Sequence, residues 1–129
     1  MKIKRSKVTA LVILIGLVAM VAAVACGGGD PEELDLPVRI EGGVMTPETI
    51  KVKQGDMVTL KIQADEPGEF HLHTYDVEAD IDAATVNYFY FVADATGRFK
   101  ITYHRQKEGE HEDGEEGEIE IGFVEVQPR

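Results

Sequence analysis

His71 and His73 stand one residue apart in the stretch EFHLHTYD, Glu69 to Asp76. Neutral imidazole is a common metal ligand, and otherwise each ring nitrogen donates or accepts a hydrogen bond. In an extended strand successive side chains alternate, so the two rings share one face and Phe70 and Leu72 share the other. The apolar pair points inward, which sends the histidines outward. They are read either as ligands or as two polar residues on the wet face of a strand. The other two histidines are His104, at the end of an alternating run, and His111, in an acidic, glycine-punctuated stretch.

The elements that must position these residues have a period of two. VRIE from Val38, TIKVK from Thr49 and MVTLKIQA from Met57 alternate apolar with polar residues. Val58, Leu60 and Ile62 share one face, and Thr59 and Lys61 the other, as in half-buried strands. FHLHTYD reads as extended, VNYFYFVAD from Val86 as an aromatic-rich strand, and RFKITYH from Arg98 as a strand with Phe99, Ile101 and Tyr103 on one face. The last strand is IEIGFVEV, Ile119 to Val126. KQGDM, ADEPGE and ADATG supply turns, with Gly55 and Asp56 bending the first. No amphipathic helix is legible after residue 26. About seven short strands over roughly ninety residues predict an all-β sandwich, its core including Val58, Leu60, Ile62, Phe89, Phe91, Phe99 and Ile101.

Residues 1–26 read as an address. Lys2, Lys4, Arg5 and Lys7 precede an uninterrupted apolar run from Val8 to Ala25, a charged region followed by a hydrophobic one. VAAVAC places small residues, Ala23 and Ala25, before Cys26, the only cysteine. This is the pattern of a bacterial lipoprotein signal, with Cys26 lipidated; an uncleaved membrane-spanning helix is the alternative. Residues 27–37, GGGDPEELDLP, read as a flexible tether and 38–129 as the folded domain. Either form of the N-terminal segment leaves the domain outside the cytoplasmic membrane, because the positive charges stay inside.

Without residues 1–25 the chain keeps nine of its 13 Lys and Arg against 24 Asp and Glu, a formal charge of −15. That sign excludes nucleic acid as a partner. It suits a cation or a basic protein partner. With Cys26 lipidated, no disulfide forms and the domain, expected to be a monomer, stands on its core alone. Glu108, Glu110, Glu112, Asp113, Glu115, Glu116, Glu118 and Glu120 crowd one stretch. It reads as a solvated loop or a cation-attracting lip, without the alternating ligands of a calcium loop. No nucleophile elbow, phosphate loop or HExxH motif is present, so catalysis is not expected.

MTPETIKVKQGDMVTLKI, then a histidine, then YFYFVADATGRFKITYH and IGFVEVQP, resembles a cupredoxin over Val38 to Pro128. The resemblance rests on Pro47 before a strand, Gly55-Asp56 in the first hairpin, Gly97 before Phe99 and Ile101, and Gly122 before Val124 and Val126. It implies a Greek-key sandwich, and in many members one copper ion that carries electrons. It also shows departures. Counting along the strand puts Tyr103 in the place of the copper-binding cysteine, and Glu120 in that of the axial methionine. A blue centre depends on the copper–thiolate bond and is excluded. All four histidines still fall in or beside the segments that build the family's site. The resemblance therefore implies a metal set of His71, His73, His104 and His111, with Glu120 as a further donor and His71 and His104 the strongest. Imidazoles and a carboxylate without sulfur suit copper(II) first and zinc second. The alternative is a metal-free module that binds a protein, similar to the cupredoxin-like domain of periplasmic iron-uptake proteins. In it Tyr103 fills the vacated site and its hydroxyl bonds His71 or His73.

Overall fold

Alternation governs the architecture. In the computed structural model, which describes residues 28–106 and 117–129, every long strand buries one set of side chains and wets the other. The expected signal, Cys26 and His111 lie outside the described residues. Among the described residues nine strands follow in order: β1 Glu33–Glu41, β2 Val44–Thr46, β3 Thr49–Lys53, β4 Met57–Ala64, β5 Gly68–Leu72, β6 Val77–Ile81, β7 Asn87–Val92, β8 Gly97–Arg105 and β9 Glu118–Gln127. They form two sheets, β2-β1-β4-β7 and β3-β9-β8-β5-β6. β1 runs parallel to β4 and β3 parallel to β9; the other neighbours are antiparallel. The inner faces meet in one core. The seven core positions expected from alternation are all at most 9% exposed.

Three expectations change. The tether is shorter than residues 27–37, because β1 starts at Glu33 and pairs with β4 from Glu33↔Met57 to Ile40↔Ala64. Leu34 and Leu36 pack against the core, and their period of two was hidden among acidic neighbours. FHLHTYD is not extended throughout. β5 ends at Leu72, and Thr74 and Asp76 take left-handed backbone angles, φ 76° and 52°, that turn the chain into β6. β2 and β6 are additional strands; both are short and lie at sheet edges.

The turn after β3 holds a feature that alternation does not predict. Asp56 is 2% exposed. Its carboxylate accepts hydrogen bonds from the Lys53 N–H at 2.8 Å and the Glu32 N–H at 3.1 Å, and pairs with the Arg129 guanidinium. Arg129 also donates to the carbonyls of Gly29, Asp30 and Gln54. Burial pushes the Asp56 carboxyl up, but the two backbone donors, Arg129 and Lys53 outweigh it and hold it below the usual carboxylate range.

Candidate metal centre

The site lies on the outer face of the five-stranded sheet. In register, Glu78 on β6, His71 on β5, Thr102 on β8 and Glu120 on β9 form one row across four strands. Phe70 and Leu72 are fully buried on the opposite face, so both histidines point outward as alternation requires. Their rings stack at a tilt of 35°, with centroids 4.0 Å apart. The side chains of His71 and His73 are 20% and 30% exposed. His73 follows the last residue of β5, but its N–H still bonds the Lys100 carbonyl at 3.0 Å, which keeps the ring beside β8. Tyr75 pins the turn that follows. Its hydroxyl donates to the Ala95 carbonyl at 3.0 Å, and its ring packs edge-on against Phe91 and Phe99.

The carboxylate that completes the group is Glu118. Its Oε1 lies 3.2 Å from His73 Nε2 and 3.8 Å from His71 Nδ1, and accepts a hydrogen bond from the Thr102 hydroxyl. His73 Nε2 is also 2.8 Å from Thr102 Oγ1. With the hydroxyl proton directed at Glu118, an Nε2–H on His73 would donate to both oxygens. The Thr102 hydrogen bond holds Glu118 below the usual carboxylate range; partial burial opposes it, and His73 and His71 reinforce it. The far nitrogen of His71, Nε2, faces Glu78 at 3.6 Å and Asp76 at 4.0 Å. Among the described residues two groups have ligand atoms all within 4.8 Å of one another: His71, His73 and Glu118, and His71, Asp76 and Glu78.

His104 and Glu120 belong to neither group. His104 is on the same face, opposite Glu118 in register, with its ring against Gly117. Glu120 lines a shallow groove with Glu48 beside β2. His71 is therefore brought to His73 rather than to His104, and the carboxylate is Glu118 rather than Glu120. Tyr103 faces the core and is 1% exposed. Its hydroxyl donates to the Glu66 carbonyl at 2.7 Å and not to a histidine, because Tyr103 and His71 lie on opposite faces of the sheet. A side-chain carbon at Gly68 would stand 2.7 Å from the Tyr103 ring, so Gly68 is what makes room for that ring. Burial first, then the charges of Asp65 and Glu66, push the Tyr103 hydroxyl up to about 12.

No protein-family model matches the sequence. No curated protein matches it either. Solved structures do match in three dimensions. A chain of a heme-copper terminal oxidase dimer aligns with a TM-score of 0.58 at 14% identity, over 96% of this chain and 98% of that one. A copper binding protein solved in the apo form gives 0.56 at 14% identity, over 77% and 92%. The periplasmic domain of subunit II of cytochrome oxidase from Bradyrhizobium japonicum gives 0.54 at 14%, over 74% and 84%. The fold is cupredoxin-like. This agrees with the two-sheet, all-β architecture and with the resemblance read from the sequence. Within this cupredoxin-like frame, Tyr103 fills the core where the resemblance puts the copper-binding cysteine. The clustered imidazoles lie instead on an outer sheet face.

Proposed function

We propose that this protein is an extracytoplasmic, membrane-anchored cupredoxin-like carrier of a divalent metal ion, copper(II) foremost, bound at a non-blue site by His71, His73 and Glu118. The observation that carries this reading is the convergence of two imidazoles and a carboxylate within 3.8 Å contacts on one sheet face. Two nitrogens and an oxygen without sulfur suit copper(II) and zinc(II), and copper(II) binds most tightly in the general order of divalent metals. The heme-copper oxidase and the copper binding protein among the structural neighbours point to the same metal. Three protein donors leave coordination positions open, as delivery to another protein requires.

The surrounding residues have defined parts in binding. Thr102 aims the Glu118 oxygen at His73. A His73 that ligates through Nε2 carries its one proton on Nδ1, and the metal competes only with the second proton of the imidazolium form, so binding weakens as the pH falls through the histidine range. Glu78 and Asp76 face the far nitrogen of His71 and would hold that ring while Nδ1 serves the metal. Anchoring rests on the VAAVAC motif, and the periplasmic neighbour supports the location.

Elemental analysis after separate challenge with copper(II), zinc(II) and iron(II) tests the site. We expect one bound ion per chain, with copper retained best. The copper form is pale, without an intense thiolate band at the red end of the visible spectrum. A deep blue complex of the Cys26→Ser protein contradicts the assignment of Tyr103. Anchoring is tested by metabolic labelling with a fatty-acid analogue. Label enters the native chain and not Cys26→Ser; label in the variant refutes the lipoprotein reading.

A further inference from the structure

Among the described residues the two sheets have four edge strands, and three of them are protected against pairing with another chain. β2 is three residues long. β3 carries Lys51 and Lys53, and β6 carries Glu78 and Asp80, the usual charged guards of an edge. β7 is six residues long, NYFYFV, with no charged side chain. On its outer face Tyr88 is 69% and Tyr90 56% exposed, flanked by Val86 and Val92 at 40% each. Among the described residues only β4 pairs with it.

Its backbone is also available. Ala93 N–H donates to the Asp56 carbonyl at 2.9 Å, and the register with β4 runs from Val92↔Met57 to Asn87↔Ile62. Antiparallel alternation then turns the N–H and C=O of Phe91 and Phe89 toward β4. Those of Tyr88 and Tyr90 point to the open edge. The same two residues thus offer unpaired backbone groups and exposed aromatic rings.

The rim of this edge is acidic. Asp82 precedes β7 and Asp94 follows it, both exposed. β6, with Glu78 and Asp80, packs beside β7 at the same side of the sandwich. Lys61, opposite Tyr88, is already paired with Asp35 at 2.8 Å. A second copy would bring acid against acid. We infer that the open edge of β7 takes up an extended, positively charged segment of another protein as a fifth strand of the first sheet. Tyr88 and Tyr90 supply the ladder and the contact surface, and the acidic rim selects the charge. This is strand addition, in which main-chain bonds hold the segment and side chains choose it.

The test uses the full chain in a non-ionic detergent and a synthetic peptide of alternating Val and Thr with Lys at both ends. At saturation, hydrogen exchange at Tyr88 and Tyr90 slows by about tenfold or more. Binding weakens with added salt, and the same peptide ended in Glu binds at least about tenfold less tightly. Tyr90→Pro removes a donor that faces outward, so it spares the ladder with β4 and abolishes binding. Tyr90→Lys, which needs no backbone adjustment, weakens binding at least about tenfold by opposing the peptide's charge. Unchanged exchange at β7, protection of β3 or β6 instead, or equal affinity for the Glu-ended peptide overturns the proposal. Concentration-dependent protection of Tyr88 and Tyr90 without peptide also overturns it, by assigning the edge to a second copy.

Discussion

Asp56 and Glu118 are chemically alike and are held in opposite ways. Both carboxyls sit below the usual range. Asp56 is 2% exposed, and its partners are two backbone N–H groups and a guanidinium. None of these can give up its proton at neutral pH, and none is a metal ligand. Glu118 is 32% exposed and is held by a hydroxyl and two imidazoles. Imidazoles change protonation near neutrality and bind metals when neutral. A lowered carboxyl therefore accompanies a fastener in one region and the group proposed to hold the metal in the other, and the partners distinguish them. The fastener joins residues far apart in sequence, while the ligand set lies across three adjacent strands.

The largest expected effect breaks the fastener. Asp56→Ala leaves Arg129 and two backbone donors without their acceptor and costs about 3–5 kcal/mol of stability, read from urea unfolding, with copper affinity unchanged. The native protein shows the same dependence with pH. Because the folded-state carboxyl is depressed, its stabilisation is complete above the ordinary carboxylate range and is lost as the pH falls through the lowered value. Asp56→Ala flattens that acid limb.

The ligand set responds in the other measurement. His71→Ala with His73→Ala lowers copper(II) affinity at least about a hundredfold, or ~2.7 kcal/mol, in calorimetric titration, with circular dichroism unchanged. Glu118→Gln keeps an acceptor for Thr102 but loses the charge, and weakens copper by about tenfold. His104→Ala, outside the group, changes affinity by less than about threefold, ~0.7 kcal/mol. A larger loss at His104 than at His73 would move the site toward the end of β8. A modest change in stability, well below that of Asp56→Ala, concerns the turn behind the histidines. Thr74 is β-branched at φ 76°, and Thr74→Gly relieves that conformation, raising stability by about 1 kcal/mol in the same unfolding assay.

Much of this was legible in the sequence. Alternation gave the sandwich, the core through Val58, Leu60, Ile62, Phe89 and Phe91, and the outward face of His71 and His73. It did not give Glu118. In register Thr102 opposes Glu120, and a bulge between Ile101 and Thr102 shifts the pairing along β9. Glu118 reaches Thr102 and His73 diagonally, a relation between strands that no single strand displays. The cupredoxin resemblance pointed to Glu120, the place of the axial methionine, because it was read along a single strand. Tyr103 was placed correctly in the strand but not in its hydrogen bond, because its face of the sheet decides its partner. The Asp56–Arg129 pair was illegible, because its members are 73 residues apart and a Gly-Asp turn needs no buried role for its acid.

The parallel pairing of β1 with β4 over eight registered residues has a mechanical consequence. A load applied through the segment before Glu33, along the strand axis, acts on that ladder in shear. Its hydrogen bonds then share the load at once, whereas a peeled hairpin breaks one bond at a time. The Arg129 bonds to the Gly29 and Asp30 carbonyls and the Asp56 bond to Glu32 N–H lie ahead of the ladder, in series with it. They yield first and let out slack at the entry to β1.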